Sequence, residues 1–64
     1  MVKIGDKFIN KSTLAQYELK EYYGGYGLLG SFDNIIWDCY GTIKEANIRI
    51  NDHIKNGRLV KVEE

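Results

Sequence analysis

The sequence predicts one α+β domain over residues 1–64: a small antiparallel β-meander, one C-terminal amphipathic helix and a closing strand. Three observations carry this. Short apolar or alternating runs are separated by Gly, Asn and Asp, the residues that turn a chain. One stretch near the C-terminus has helical spacing with start and stop signals. Nothing in the 64 residues, which include no proline, reads as a linker, repeat or low-complexity tract.

Lys3–Ile9 reads as the first strand. Residues 12–23 fit two templates. Ala15, Leu19, Tyr22 and Tyr23 match helical spacing, while Ala15, Tyr17 and Leu19 match strand alternation. The strand reading is preferred on topology. A turn at Gly24-Gly25 joins 16–23 to 26–32 as a hairpin, and Asp33-Asn34 supplies the next turn, so four short strands follow one another with short connections. A helix at 13–23 would give β-α-β-α-β instead. Residues 35–40 read as a strand with Ile35, Trp37 and Cys39 on one face and Ile36, Asp38 and Tyr40 on the other, with Asp38 pointing outward.

The helix is expected at about 42–56. Thr42 with Glu45 three residues on forms a capping box. Ile43, Ala46, Ile50 and Ile54 share one face. Asn56-Gly57 is a stop signal, and Lys55 sits in the last turn, where the helix dipole favours a cation. Residues 58–62 close the domain as a strand. Phe8, Phe32 and Trp37 are the core candidates.

Composition narrows the function classes. A chain this short buries about 60% of its unfolded surface, so the core is small. Cys39 and His53 are the only residues of their types, which excludes an intrachain disulfide and a Cys/His zinc set. No metal and no cofactor are expected. A lone thiol and no signal peptide suit a reducing cytoplasm, and no apolar run reaches the roughly 18 residues of a membrane span. Nine basic and nine acidic residues give a net charge of zero, which disfavours a generic duplex-DNA binder. Lys44, Arg49, Lys55, Arg58 and Lys61 make the C-terminal third mildly basic, a solvated face or a contact for an acidic surface or phosphate.

Two motifs invite enzyme readings. Gly25-Tyr-Gly-Leu-Leu-Gly30 is a literal G-x-G-x-x-G. In dinucleotide-binding folds a helix follows it, but here a turn and a strand follow. The kinase version is a hairpin loop, yet no β3 lysine, catalytic loop or metal-binding Asp fits in the rest of the chain. The glycines therefore read as turn and packing residues in a hairpin loop that holds Tyr26 at its tip. Ile35-Ile-Trp-Asp-Cys-Tyr-Gly-Thr42 resembles the nucleophile motif of haloacid-dehalogenase-type hydrolases, with Asp38 as the attacking carboxylate. Only 22 residues follow Thr42, too few for that superfamily's sheet and further catalytic residues. No catalytic residue is assigned.

Ile4-Gly-Asp-Lys-Phe8, Tyr17-Glu-Leu-Lys-Glu21, the meander ending in Trp37 and the close Ile54–Val62 together resemble small SH3-like barrel proteins of phages and mobile elements. The resemblance implies a binding or inhibitory module without a defined active site. The expected function is then a non-catalytic, phage-encoded module that binds and inhibits a host protein. Its contact surface is read as Tyr22, Tyr26 and Tyr40 with Ile48, Arg49 and Arg58. Of Tyr22 and Tyr23 one must face outward. Ile48 lies opposite the apolar stripe of the helix, ringed by Lys44, Asn51, Asp52 and Lys55, and a homodimer through this face is one version of the surface. The alternative is a module for a nucleotide or short nucleic acid, stacking bases on the Tyr/Gly loop with Arg49 or Arg58 on phosphate.

Overall fold

Five strands and one helix follow the expected order in the computed structural model, which describes residues 1–63. They are β1 (Lys7–Asn10), β2 (Gln16–Tyr22), β3 (Gly25–Gly30), β4 (Ile36–Tyr40), α1 (Ile43–Lys55) and β5 (Leu59–Lys61). Residues 16–22 are a strand, so the helical alternative for this segment is overturned. All strands form one antiparallel sheet in the order β4-β3-β2-β1-β5. After the four-strand meander the chain leaves the β4 edge, runs over one face as α1 and returns as β5 beside β1. The edges β4 and β5 are not joined, so the sheet is open, without the barrel closure that an SH3-like form implies.

Local chemistry sets both helix ends. Thr42 is extended (φ −137°, ψ 161°), and its hydroxyl accepts from Glu45 N at 3.1 Å. The Glu45 carboxylate reaches back to accept from Gly41 N at 3.2 Å. At the other end Gly57 takes φ +76°. Its N–H donates to the Ile54 carbonyl, and Arg58 N donates to the His53 carbonyl. This is the paired closure of a Schellman motif, which only a left-handed residue at Gly57 permits.

The core follows from alternation. Leu19 lies opposite Leu28, and Phe8 opposite Tyr17, all on the sheet face beneath the helix. Leu59 joins them from β5, and Ala46 and Ile50 come down from α1. Phe8, Leu19, Leu28, Ile50 and Leu59 are fully buried, each contributing about 1.5–3 kcal/mol by leaving water. Ile43 and Ile54 flank this cluster, half-buried.

The boundaries differ from expectation where pairing between strands decides them. β1 begins at Lys7 rather than Lys3, because Lys3–Asp6 is a turn in which Asp6 N donates to the Lys3 carbonyl and Lys3 N to the Asp6 carboxylate. The β2–β3 turn is Tyr23-Gly24, one residue earlier than Gly24-Gly25. Both take positive φ (+44° and +79°), and Tyr22 pairs with Gly25. Two left-handed residues match the twist of a two-residue hairpin.

That shift recasts the G-x-G-x-x-G motif. Its six residues are β3 itself, not a loop. β3 is a central strand with neighbours on both sides, so its amides are engaged in ladders rather than presented to a phosphate. The glycines answer close approach. A Cβ on Gly25 would come 2.5 Å from the Tyr40 carbonyl, and one on Gly30 would collide with the Asp33 carboxylate.

β4 carries the other departure. Its register against β3 shifts between Leu28 and Leu29, which pair with Asp38 and Ile36 and leave Trp37 as the extra residue of a bulge. The simple alternation read over 35–40 is therefore broken. Trp37 turns to pack half-buried against the core, and Asp38 faces the helix rather than outward.

Candidate functional site

Two hairpin loops stand side by side at the end of the sheet away from the Tyr23-Gly24 turn, and they share one hydrogen-bond design. In the β1–β2 loop Asn10 N donates to the Ala15 carbonyl, Leu14 N to the Asn10 carbonyl, and Ala15 N to Thr13 Oγ1. In the β3–β4 loop Gly30 N donates to the Ile35 carbonyl, Asn34 N to the Gly30 carbonyl, and Ile35 N to Asp33 Oδ1. Leu14 and Asn34 occupy matching positions with left-handed backbone, φ +65° and +57°. Asn is a usual occupant of that conformation; Leu is not.

The loops present large apolar side chains to solvent. Leu14 is 76% exposed, Phe32 90% and Ile35 66%. Phe32, expected in the core, is thus a surface residue, because its loop projects past the end of the helix-covered face. Together with Ile36 these side chains surround a cleft of about 420 Å³ whose lining includes Tyr17, Trp37 and Ser31. Tyr17 and Trp37 stack at 5.2 Å between ring centroids with an interplanar angle of 21°. Among the described residues the buried Ser31 hydroxyl oxygen finds no hydrogen-bond partner. Buried polar atoms are rarely left so.

Charge is kept off this cleft. Asp33, the one charged residue lining it among the described residues, is turned onto the Ile35 N–H, and the neighbouring Asn34 accepts from Lys20 Nζ at 2.8 Å. Behind the floor lies a polar ladder. Trp37 packs on the His53 ring at 4.8 Å between centroids. Arg58 Nε donates to His53 Nδ1 at 2.8 Å, so the neutral ring carries its proton on Nε2, which donates to Asp38 Oδ2 at 3.1 Å. Arg49 completes the group, 3.3 Å from the same Asp38 oxygen. Asp38 therefore links β4 to α1 through Arg49 and His53.

The residues singled out as a contact surface fall in three places. Tyr22, Tyr26 and Tyr40 do come together, around a shallow hollow of about 490 Å³ beside the β2–β3 turn. Tyr26 is not at the loop tip, however. It lies opposite Tyr40 within the sheet and packs half-buried on the core. The tip belongs to Tyr23, which is exposed, with the half-buried Tyr22 edge-on to it at 4.6 Å. Tyr40 is only 4% exposed. Among the described residues its hydroxyl makes no hydrogen bond of good geometry, and burial first, then the neighbouring Asp38 carboxylate, pushes the phenol well above the usual range. Ile48 and Arg49 line a separate shallow groove on the outer face of α1. Arg58 lies past the helix, engaged by His53 and Asp52.

The loop cleft was missed in the sequence because Phe32 was assigned to the core and Leu14 to no role. A readable signal existed: Leu14 and Phe32 each sit in a run of turn-forming polar residues, where an apolar side chain has no strand or helix face to cover it.

Among the described residues, no group of three or more His, Cys, Asp or Glu side chains is placed to hold a metal ion, and no helix is long and apolar enough to cross a membrane. The sequence matches no family model and no curated protein, and the fold matches no solved structure.

Proposed function

We propose that this chain is a non-catalytic interaction module that binds another protein through the apolar cleft between its β1–β2 and β3–β4 loops. One observation carries the reading: Leu14 holds a left-handed backbone while its side chain stays in water beside the exposed Phe32 and Ile35. A left-handed Leu costs roughly 1–2 kcal/mol, and neither the core nor the turn requires Leu there. Clustered exposed apolar side chains around aromatic rings are the composition of a protein-binding hot spot. The resemblance to small phage SH3-like proteins supports a more specific form, in which the module inhibits a host protein.

The test has two stages. A protein captured from a host lysate is purified, and its affinity is measured for the natural chain and for Phe32→Ser. The reading expects at least tenfold weaker binding by the variant with an unchanged melting curve. Equal affinity for both Phe32→Ser and Ile35→Ser would sink it.

A further inference from the structure

We infer that the hollow beside the β2–β3 turn is a second binding site, which takes an arginine side chain of another protein between its tyrosine rings and the Glu45 carboxylate. The hollow lies at the end of the sheet away from the loop cleft, so the two sites stand or fall separately.

Composition points to a cation. Among the described residues, four tyrosines and one carboxylate line the hollow, and no Lys, Arg or His does. Tyr22 and Tyr23 meet edge-on, 4.6 Å between centroids and 77° between planes, so their rings form two walls of a corner. Tyr23 stands 93% exposed on a left-handed backbone, φ +44°. Hairpins favour Asn or Gly in such a place, and neither burial nor the turn calls for a ring there. The faces of such rings carry negative potential and attract cations. The Glu45 carboxylate borders the same hollow, fixed by the bond it accepts from Gly41 N. Among the described residues no basic side chain pairs with it. The exposed Glu21, opposite Tyr26 on β2, adds negative charge on that side.

The fold already uses this form of recognition once. Arg49 places its guanidinium 5.7 Å from the Tyr40 ring centroid and 3.3 Å from the Asp38 carboxylate. A planar guanidinium stacks on a ring, forks onto a carboxylate and is more weakly hydrated than an ammonium, which favours arginine over lysine in a hollow walled by tyrosines. One exposed cation–π contact and one solvent-screened ion pair bind weakly, with a Kd of roughly 1–10 mM for a single arginine.

NMR titration of the full chain with a blocked tripeptide, arginine between two glycines, tests this. Amides of residues 22–26 and 39–45 should shift, and added salt should weaken binding. The citrulline counterpart, of the same shape without the charge, should bind roughly fivefold more weakly or not at all, and so should the lysine counterpart. Glu45→Gln keeps an acceptor for Gly41 N and removes the charge. Tyr23→Asn removes a wall and suits the left-handed backbone, so it tests the ring with the fold intact. Each should weaken binding about threefold or more. Phe32→Ser, at the far end of the sheet, should leave it unchanged. Equal binding of the citrulline or lysine tripeptide, full affinity in either Tyr23→Asn or Glu45→Gln, loss in Phe32→Ser, shifts centred elsewhere, or none at about 50 mM peptide overturns the inference. Capture of a protein through Phe32 is untouched by any of these results.

Discussion

Leu14 and Asn34 hold the same left-handed place in two hairpin loops of one design, twenty positions apart, yet one is a turn residue and the other an exposed aliphatic. The backbone requirement is identical, so the difference in side chain separates what folding needs from what it does not. Asn tolerates this conformation because its short polar side chain bonds locally. Leu has no such compensation.

Leu14→Asn should therefore stabilise the monomer by about 0.5–1 kcal/mol, raising Tm by roughly 2–8 °C in a domain of this size. Thermal unfolding at low concentration, followed by circular dichroism, measures this. A lower Tm would mean that Leu14 serves the fold.

Gly25→Ala bears on the glycine motif. The added methyl would meet the Tyr40 carbonyl, a backbone atom that cannot turn aside. Overpacking of this kind costs about 1–3 kcal/mol, so Tm should fall by several degrees or more. Adding nucleotides should leave the melting temperature of the natural chain unchanged, since a ligand raises Tm only by binding the folded state. A nucleotide-dependent rise would restore the phosphate reading of residues 25–30.

Tyr40 predicts an alkaline limit to stability. In the unfolded chain its phenol loses its proton near pH 10, whereas in the fold burial holds the proton on to higher pH. The folded state thus binds more protons above about pH 10, and stability, complete below that pH, declines as pH rises beyond it. Of the five tyrosines, Tyr40 should give its phenolate absorbance only as the chain unfolds. Tyr40→Phe removes an unpaired buried hydroxyl, should be neutral or stabilising at pH 7, and should abolish this late step. A full five-tyrosine titration in the folded protein would contradict the burial argument.

Asp38→Asn loses the carboxylate that His53 and Arg49 share. Arg49 is half exposed, so solvent screens that contact, and the expected cost is about 1 kcal/mol, read by urea denaturation. A phosphatase or dehalogenase activity in the natural chain that this substitution abolished would overturn the anchoring role given to Asp38.

The helix was legible almost to the residue. Thr42, Glu45 and Gly57 act on backbone groups within a few positions of themselves, so their meaning does not depend on the rest of the fold. The meander was legible only through its connections: periodicity left residues 12–23 open between helix and strand, and the short turns expected at Gly24-Gly25 and Asp33-Asn34 tipped the reading to strand. The candidate site was not. Tyr26 was read as a loop tip because its flanking glycines suit a turn, and they suit equally a strand crossed closely by its neighbours. Phe32 was read as core because an aromatic residue in so short a chain is usually buried.

By itself the sequence determined where the helix starts and stops and that the fold is α+β, because capping, helical periodicity and turn preference act over short range; periodicity alone left residues 12–23 open between helix and strand. Only the tertiary structure decided the remainder. The register of β3 on β2 moved the turn by one residue, the bulge at Trp37 brought that ring onto Tyr17 and His53, and two loops distant in sequence closed a cleft around them. Each of these depends on which strand lies beside which, a relation between residues far apart in the chain that no local pattern encodes.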